Sequence, residues 1–365
     1  MRLLYFSPVP WDSYEQRPHY FARHFLALGG AVVWIDPYPA RLPRWADLTR
    51  MRRREPALEL PRPRDLTVLP GRGWPIDPLP GGPRLNAQLF WRRRLAQRSA
   101  YPGRDTVLGI GRPTAMARAA LEHVPRAWSF YDAMDDFPEF YTGASRRATA
   151  RTESAIARTV DRVVASSRHL YDKFAPVAHD LRLVRNAYDM DLLPPFTGDR
   201  PARAELGFIG AVAQWFDWTL LARVADAIRP MPITLMGPRI VAPPATMPAN
   251  IHYRPPCHQR EGAAWLQTIA AGLIPFVRSP LTAGIDPIKY YQYRGAGLPV
   301  LTSTFGEMAA RGPDDGTFAL DGPDGPRAAI DTALAWRPTA AAVERFRAEH
   351  TWTHRFESVR IYEAP

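Results

Sequence analysis

Lysine is nearly absent from this chain: of its 47 basic residues only two are lysine and 45 are arginine. Arginine presents a planar fork and lysine a compact, rotatable ammonium, so a lysine kept at 289 points to contact with a phosphate or carboxylate. Cysteine occurs once, as Cys257, which excludes an internal disulfide, is compatible with a reducing cytoplasm, and suits a small buried apolar residue. No apolar run approaches the roughly 18 to 20 residues of a membrane-spanning helix. The first residues, Arg2-Leu-Leu-Tyr-Phe6, read as a strand and lack the charged region, apolar region and cleavage site of a signal peptide, so the chain is expected to be soluble or peripheral to a membrane. Zinc-spaced Cys/His clusters, a G-x-S-x-G elbow and a Walker loop are also missing, which sets aside zinc hydrolases, typical serine esterases and P-loop NTPases.

What is present is enough for two cores. A chain of 365 residues with 46% hydrophobic residues fits two domains of roughly 180 residues each. Its net charge of +11 leaves nucleic acid, an anionic membrane surface or phosphorylated substrates as partners. No nucleic-acid-binding module is recognisable. Arginines crowd with Trp, Leu, Met and Phe in Trp45 to Arg54 and Leu85 to Arg94, within segments 44–54 and 85–94. Such segments either lie in a lipid headgroup layer or form a solvated basic face.

Short β-rich runs alternate with helical patterns. Strands are expected at Leu3 to Phe6, Ala31 to Ile35, Leu66 to Leu69, Thr106 to Ile110, Ala127 to Tyr131, Arg162 to Ser166 and Leu181 to Val184. The Pro- and Arg-rich part from about 36 to 84 reads as an elaborated loop region. The pattern restarts at Leu206-Gly-Phe-Ile-Gly210, with further strands expected at Ile233 to Met236, Ile251 to Arg254, Leu273 to Phe276 and Pro299 to Thr302. Two such series predict an α/β chain of two doubly wound, Rossmann-like domains facing one another. Ligands of these sheets lie beyond the C-terminal ends of the strands, which directs attention to an interdomain cleft.

Four segments would meet that cleft. In Asp286-Pro-Ile-Lys-Tyr-Tyr-Gln-Tyr-Arg-Gly-Ala-Gly-Leu-Pro-Val300, Asp286 reads as N-cap, Pro287 as the first helical residue, Gly297 as the C′ residue and Pro299 as the stop. Lys289 and Gln292 then share a face. Gly210 begins a strand-to-helix turn suited to phosphate, or an ordinary tight turn. Asp132, Asp135 and Asp136 crowd at a strand end, where they can supply a general base with a raised pKa, cap the loop, or bind a metal. Arg17 and His19 sit between the first strand and first helix, where they can meet a substrate, or His19 can cap the helix.

Taken together, Gln16-Arg-Pro-His19, the Asp132 to Asp136 cluster, Glu153 with Asp161-Arg-Val-Val-Ala-Ser-Ser167, Val184-Arg-Asn-Ala-Tyr-Asp189, Leu206 to Gly210, Met236-Gly-Pro238, Asn250-Ile-His252 and Asp286 to Val300 resemble the GT-B glycosyltransferases. The likeness is to the group 1-like bacterial branch that makes surface and exopolysaccharides. Group 1 members carry two glutamates eight positions apart before the Gly-x-Pro-Val turn; here those positions are Gly284 and Gln292. A Lys-x-x-Gln arrangement instead looks like the inverting β-glucuronosyltransferase of xanthan biosynthesis.

The resemblance implies a metal-independent enzyme without a cofactor, moving sugar from a UDP- or GDP-linked donor to a lipid-linked or polysaccharide acceptor at the cytoplasmic face of the membrane. Asp135 would be the base. Gly210, Asp286, Lys289, Tyr290 and Gln292 would bind the donor, and Arg17 and His19 the acceptor. Residues 1–190 would form the acceptor domain and 191–340 the donor domain, with a hinge near 189–200. The tail 341–365, containing His350-Thr-Trp-Thr-His-Arg355, would cross back to the first domain. A sugar-nucleotide epimerase and a non-catalytic glycan-binding component remain the rival readings.

Overall fold

The computed structural model describes residues 1–42, 60–91, 105–198 and 205–365. The segment 44–54, the end of 85–94 and the last two residues of the expected hinge lie outside the described residues. The chain divides into unit 1, Met1–Val184 with Val359–Pro365, and unit 2, Arg185–Ser358.

Unit 1 is built on seven strands: β1 (Arg2–Phe6), β2 (Ala31–Ile35), β3 (Leu66–Leu69), β4 (Thr106–Ile110), β5 (Trp128–Ala133), β6 (Arg162–Ala165) and β7 (Asp180–Leu183). They pair in parallel in the order β3-β2-β1-β4-β5-β6-β7. Every residue of β4 and β5 is buried, as expected where helices cover both faces of a parallel sheet and the strands read as apolar runs rather than alternating ones. The helix Arg17–Ala27 buries Phe21, Ala22 and Phe25. Residues 359–365 complete the unit. Tyr362 packs on Phe25 with ring centroids 4.9 Å apart, its hydroxyl donates to Phe21 O, and the Arg162 guanidinium donates to the carbonyls of Arg360, Ile361 and Glu363.

Unit 2 repeats the scheme with β8 (Leu206–Ile209), β9 (Ile233–Met236), β10 (Ile251–Arg254), β11 (Ala271–Ile274), β12 (Val300–Thr302) and β13 (Thr317–Ala319). Their order is β10-β9-β8-β11-β12-β13, again parallel. The strand expected at Leu273 to Phe276 begins two residues earlier, and β13 was not anticipated. In both sheets strand order reverses beside the first strand, between β1 and β4 and between β8 and β11, and such switch points are where doubly wound sheets open to ligands.

Candidate functional site

At the unit 2 switch point the chain leaves β8 through Gly210, whose φ of +133° favours glycine. A Cβ here would lie 2.5 Å from Lys289 Cε and 2.6 Å from its Nζ, so the bare backbone makes room for the lysine. The ammonium rests 5.2 Å from the Phe208 ring centroid and 5.7 Å from that of Phe276, on residues in and just beyond β8 and β11. It has no carboxylate partner among the described residues. Burial lowers its pKa to about 8, because desolvation penalises the charged form. An anion arriving here would meet a cation that nothing else neutralises.

Lys289 is carried on the helix Ile288–Gly295. Its C-terminus closes as expected: Gly297 has φ +73°, its N–H donates to Arg294 O, and the Leu298 N–H donates to Tyr293 O, the paired bonds of a Schellman ending. Its start is different. Asp286 does not cap the helix: Pro287 holds the N-cap position and no side chain caps it.

The Asp286 carboxylate is instead buried and fully engaged. Oδ2 accepts from the Asn186 N–H at 2.7 Å and the Tyr291 hydroxyl at 2.9 Å, and Oδ1 from Arg311 at 2.8 Å. Asp286 thus ties the helix into unit 2, with its carboxylate oxygens held by Asn186, Tyr291 and Arg311. Tyr290 is likewise core, with the Arg311 guanidinium 3.7 Å over its ring. The Gln292 amide donates to the Tyr188 hydroxyl at 3.2 Å.

In unit 1 the three aspartates have separate fates. Asp132 is fully buried and accepts from Arg17 Nε at 2.8 Å. Asp136 accepts from Lys173 at 2.8 Å, with His169 Nε2 at 3.5 Å. Asp135 lies between them, half-buried, with no partner to its carboxylate among the described residues. Burial, then the charge of Asp132, raise its pKa to about 7, against the lowering influence of Arg17. That value suits a general base at neutral pH. The three carboxylates are not gathered for a metal; among the described residues no set of three or more ligating side chains is.

Arg17 and His19 are internal. Arg17 is 0% exposed and donates to Val184 O at 2.7 Å as well as to Asp132; it is a tie within unit 1, not an acceptor contact. His19 is also 0% exposed. Its Nδ1 accepts from the Gln16 N–H in a capping box, so Nε2 carries the proton and donates to Trp11 O at 3.0 Å. Burial lowers its pKa to about 4. The capping alternative is the one realised.

Trp91, read as a headgroup-layer residue, is also buried, with its indole N–H donating to Arg72 O at 2.7 Å. Sequence reasoning missed Lys173, which bridges Asp136 and Glu153, the latter at 2.6 Å, while Tyr131 donates to Glu153 at 2.8 Å. The signal was available, since Lys173 is the second lysine of an arginine chain.

No family model matches the sequence. No curated protein matches it either. Solved structures do. Sucrose-phosphate synthase from Thermosynechococcus elongatus superposes with a TM-score of 0.68 at 13% identity, over 99% of this chain and 98% of that one. Anabaena HepE, solved in complex with UDP and glucose, gives 0.64 at 10% identity over 100% of both chains. An E. coli trehalose-6-phosphate protein bound with UDP-2-fluoro glucose gives 0.62 at 12% identity, over 99% and 98%. At such identities the likeness is one of fold, and the chain has the two-unit α/β fold that the GT-B resemblance implied.

Proposed function

We propose that this protein is a glycosyltransferase that moves a sugar from a nucleotide diphosphate donor to an acceptor hydroxyl. The observation that carries the reading is the Lys289 ammonium, without a counterion among the described residues, seated on Phe208 and Phe276 against Gly210 at the unit 2 switch point. Two of the similar structures, solved with UDP or a UDP-sugar bound, add support.

In this reading unit 2 holds the donor. The diphosphate lies at Lys289 and the amides of the turn after Gly210, where positive charge stabilises the leaving group. Gln292, one turn on from Lys289, meets the ribose or sugar. Unit 1 holds the acceptor and presents Asp135 as base. As the acceptor oxygen bonds to the anomeric carbon, the bond from that carbon to the phosphate oxygen breaks. The diphosphate leaves with the electron pair, and the hydroxyl proton passes to Asp135. Direct attack of this kind inverts the anomeric centre, and no metal is required. The acceptor is lipid-linked or polysaccharide, and segment 44–54 bears on an anionic membrane face.

Calorimetric titration with UDP and GDP tests the donor half. One nucleotide is expected to bind in the micromolar range, and Lys289→Ala to weaken it at least tenfold. Unchanged affinity in that variant sinks the assignment.

A further inference from the structure

One cavity in unit 1 is not used by that mechanism. It has a volume of about 510 Å³ and lies between the helices Gly143–Thr159 and Arg168–Phe174, with Pro138, Phe174 and Val177 supplying apolar surface. Small-molecule sites run roughly 300–1,000 Å³, so it is large enough for a saccharide. Asp136, the residue after Asp135, lines it.

The charges around the cavity divide into two sets. Glu139 is paired with Arg146, and Asp136 and Glu153 share the ammonium of Lys173. Arg147 and Arg158 line the cavity too, are exposed, and have no carboxylate partner among the described residues. Eleven residues apart on one helix, they fall on nearly the same face and about 16 Å from each other along its axis. The cavity therefore offers apolar surface to the C–H face of a sugar ring and a free guanidinium fork toward each end. Such forks match the geometry of carboxylate and phosphate oxygens.

We propose that this cavity is a subsite for a negatively charged sugar of the acceptor, a uronic acid or a phosphorylated sugar, whose oxyanion is held by Arg147 at one end or by Arg158 at the other. The assignment rests on the reading of Asp135 as the acceptor-side base, because the cavity starts at the next residue. The oxyanion anchors the acceptor chain, and Asp135 receives the proton of a hydroxyl further along it.

Binding without donor is the test. The full-length protein is titrated with digalacturonate, mannose 6-phosphate and neutral galactobiose by ligand-observed NMR. The same titrations are run on the Arg147→Ala/Arg158→Ala and Arg147→Lys/Arg158→Lys double variants. At least one anionic sugar is expected to bind tenfold or more tightly than galactobiose, the alanine pair to lose that margin, and the lysine pair to recover part of it. Equal binding of galactobiose, no binding of either anionic sugar, or unchanged affinity in the alanine pair overturns the proposal. So does an alanine pair that loses binding to phosphatidylglycerol vesicles while its saccharide affinity is intact, which assigns the arginines to a lipid surface. Nucleotide titration of the same alanine pair separates the two readings, since the donor site is expected to bind normally in it.

Discussion

Asp135 keeps its proton to about pH 7, whereas an aspartate in the unfolded chain ionises near pH 4. Its contribution to stability is therefore present below about pH 4 and lost as pH rises to 7, because the native state binds the extra proton in that window. Asp135→Asn is expected to raise stability at pH 8 by about 1–3 kcal/mol and to leave it nearly unchanged at pH 4, as urea unfolding would show. The same variant is expected to lower turnover by about 10²–10⁴ with nucleotide affinity retained. If Asp135 is the base of the proposed transfer, kcat/KM of the parent protein should fall as pH drops through 7. Arg17 makes the opposite point. Arg17→Met leaves Asp132 buried without its cation, and the expected loss is about 3–5 kcal/mol in the same assay. Sequence placed Arg17 beside a substrate because its partner is 115 residues away, and a one-dimensional pattern does not distinguish a buried ion pair from a cleft charge.

At the scale of elements, what was legible depended on how local the cause was. β2 and β4 match their expected residues because apolar runs bounded by turn residues specify buried parallel strands by themselves; the edge strand β3, only partly buried, matches on its β-branched and apolar residues. β13, as short as β12, ends on an exposed Ala319 and has no continuous apolar run to mark it. The helix Ile288–Gly295 was read correctly at its C-terminus, where Gly297 alone satisfies the left-handed position, and incorrectly at its start, where Asp286 was recruited by Asn186 and Arg311. Lys289 was legible by composition, but its seat on Phe208 and Phe276 required the sheet to assemble. Gly297 gives the test at this scale. A Cβ there would add strain at φ +73° and lie 2.4 Å from the Phe196 ring. Gly297→Ala is expected to destabilise by about 1–3 kcal/mol in urea unfolding, with near-normal nucleotide affinity in the folded fraction.

At the scale of the molecule, both units use the same strand order around their first strand although the sequence shows no repeat, so architecture was readable from alternation where sequence similarity was not. Unit 1 is finished by a segment that the chain reaches only after unit 2: Val359–Pro365 covers Phe21 and Phe25 and supplies three carbonyls to Arg162. Deleting 359–365 is expected to leave hydrogen-exchange protection in β8, β9 and β11 intact and to lower it by an order of magnitude or more in β1 and β6. Equal protection in both units after the deletion would show that the segment is dispensable. This return also sets an order of events during synthesis. A ribosome delivers the residues up to Ser358, including all of unit 2, before the last piece of unit 1 exists, so the nascent unit 1 carries an unfilled apolar groove, and an Arg162 paired with Asp180 alone, until residues 359–365 are made. Native packing of the half made first waits for the half made second.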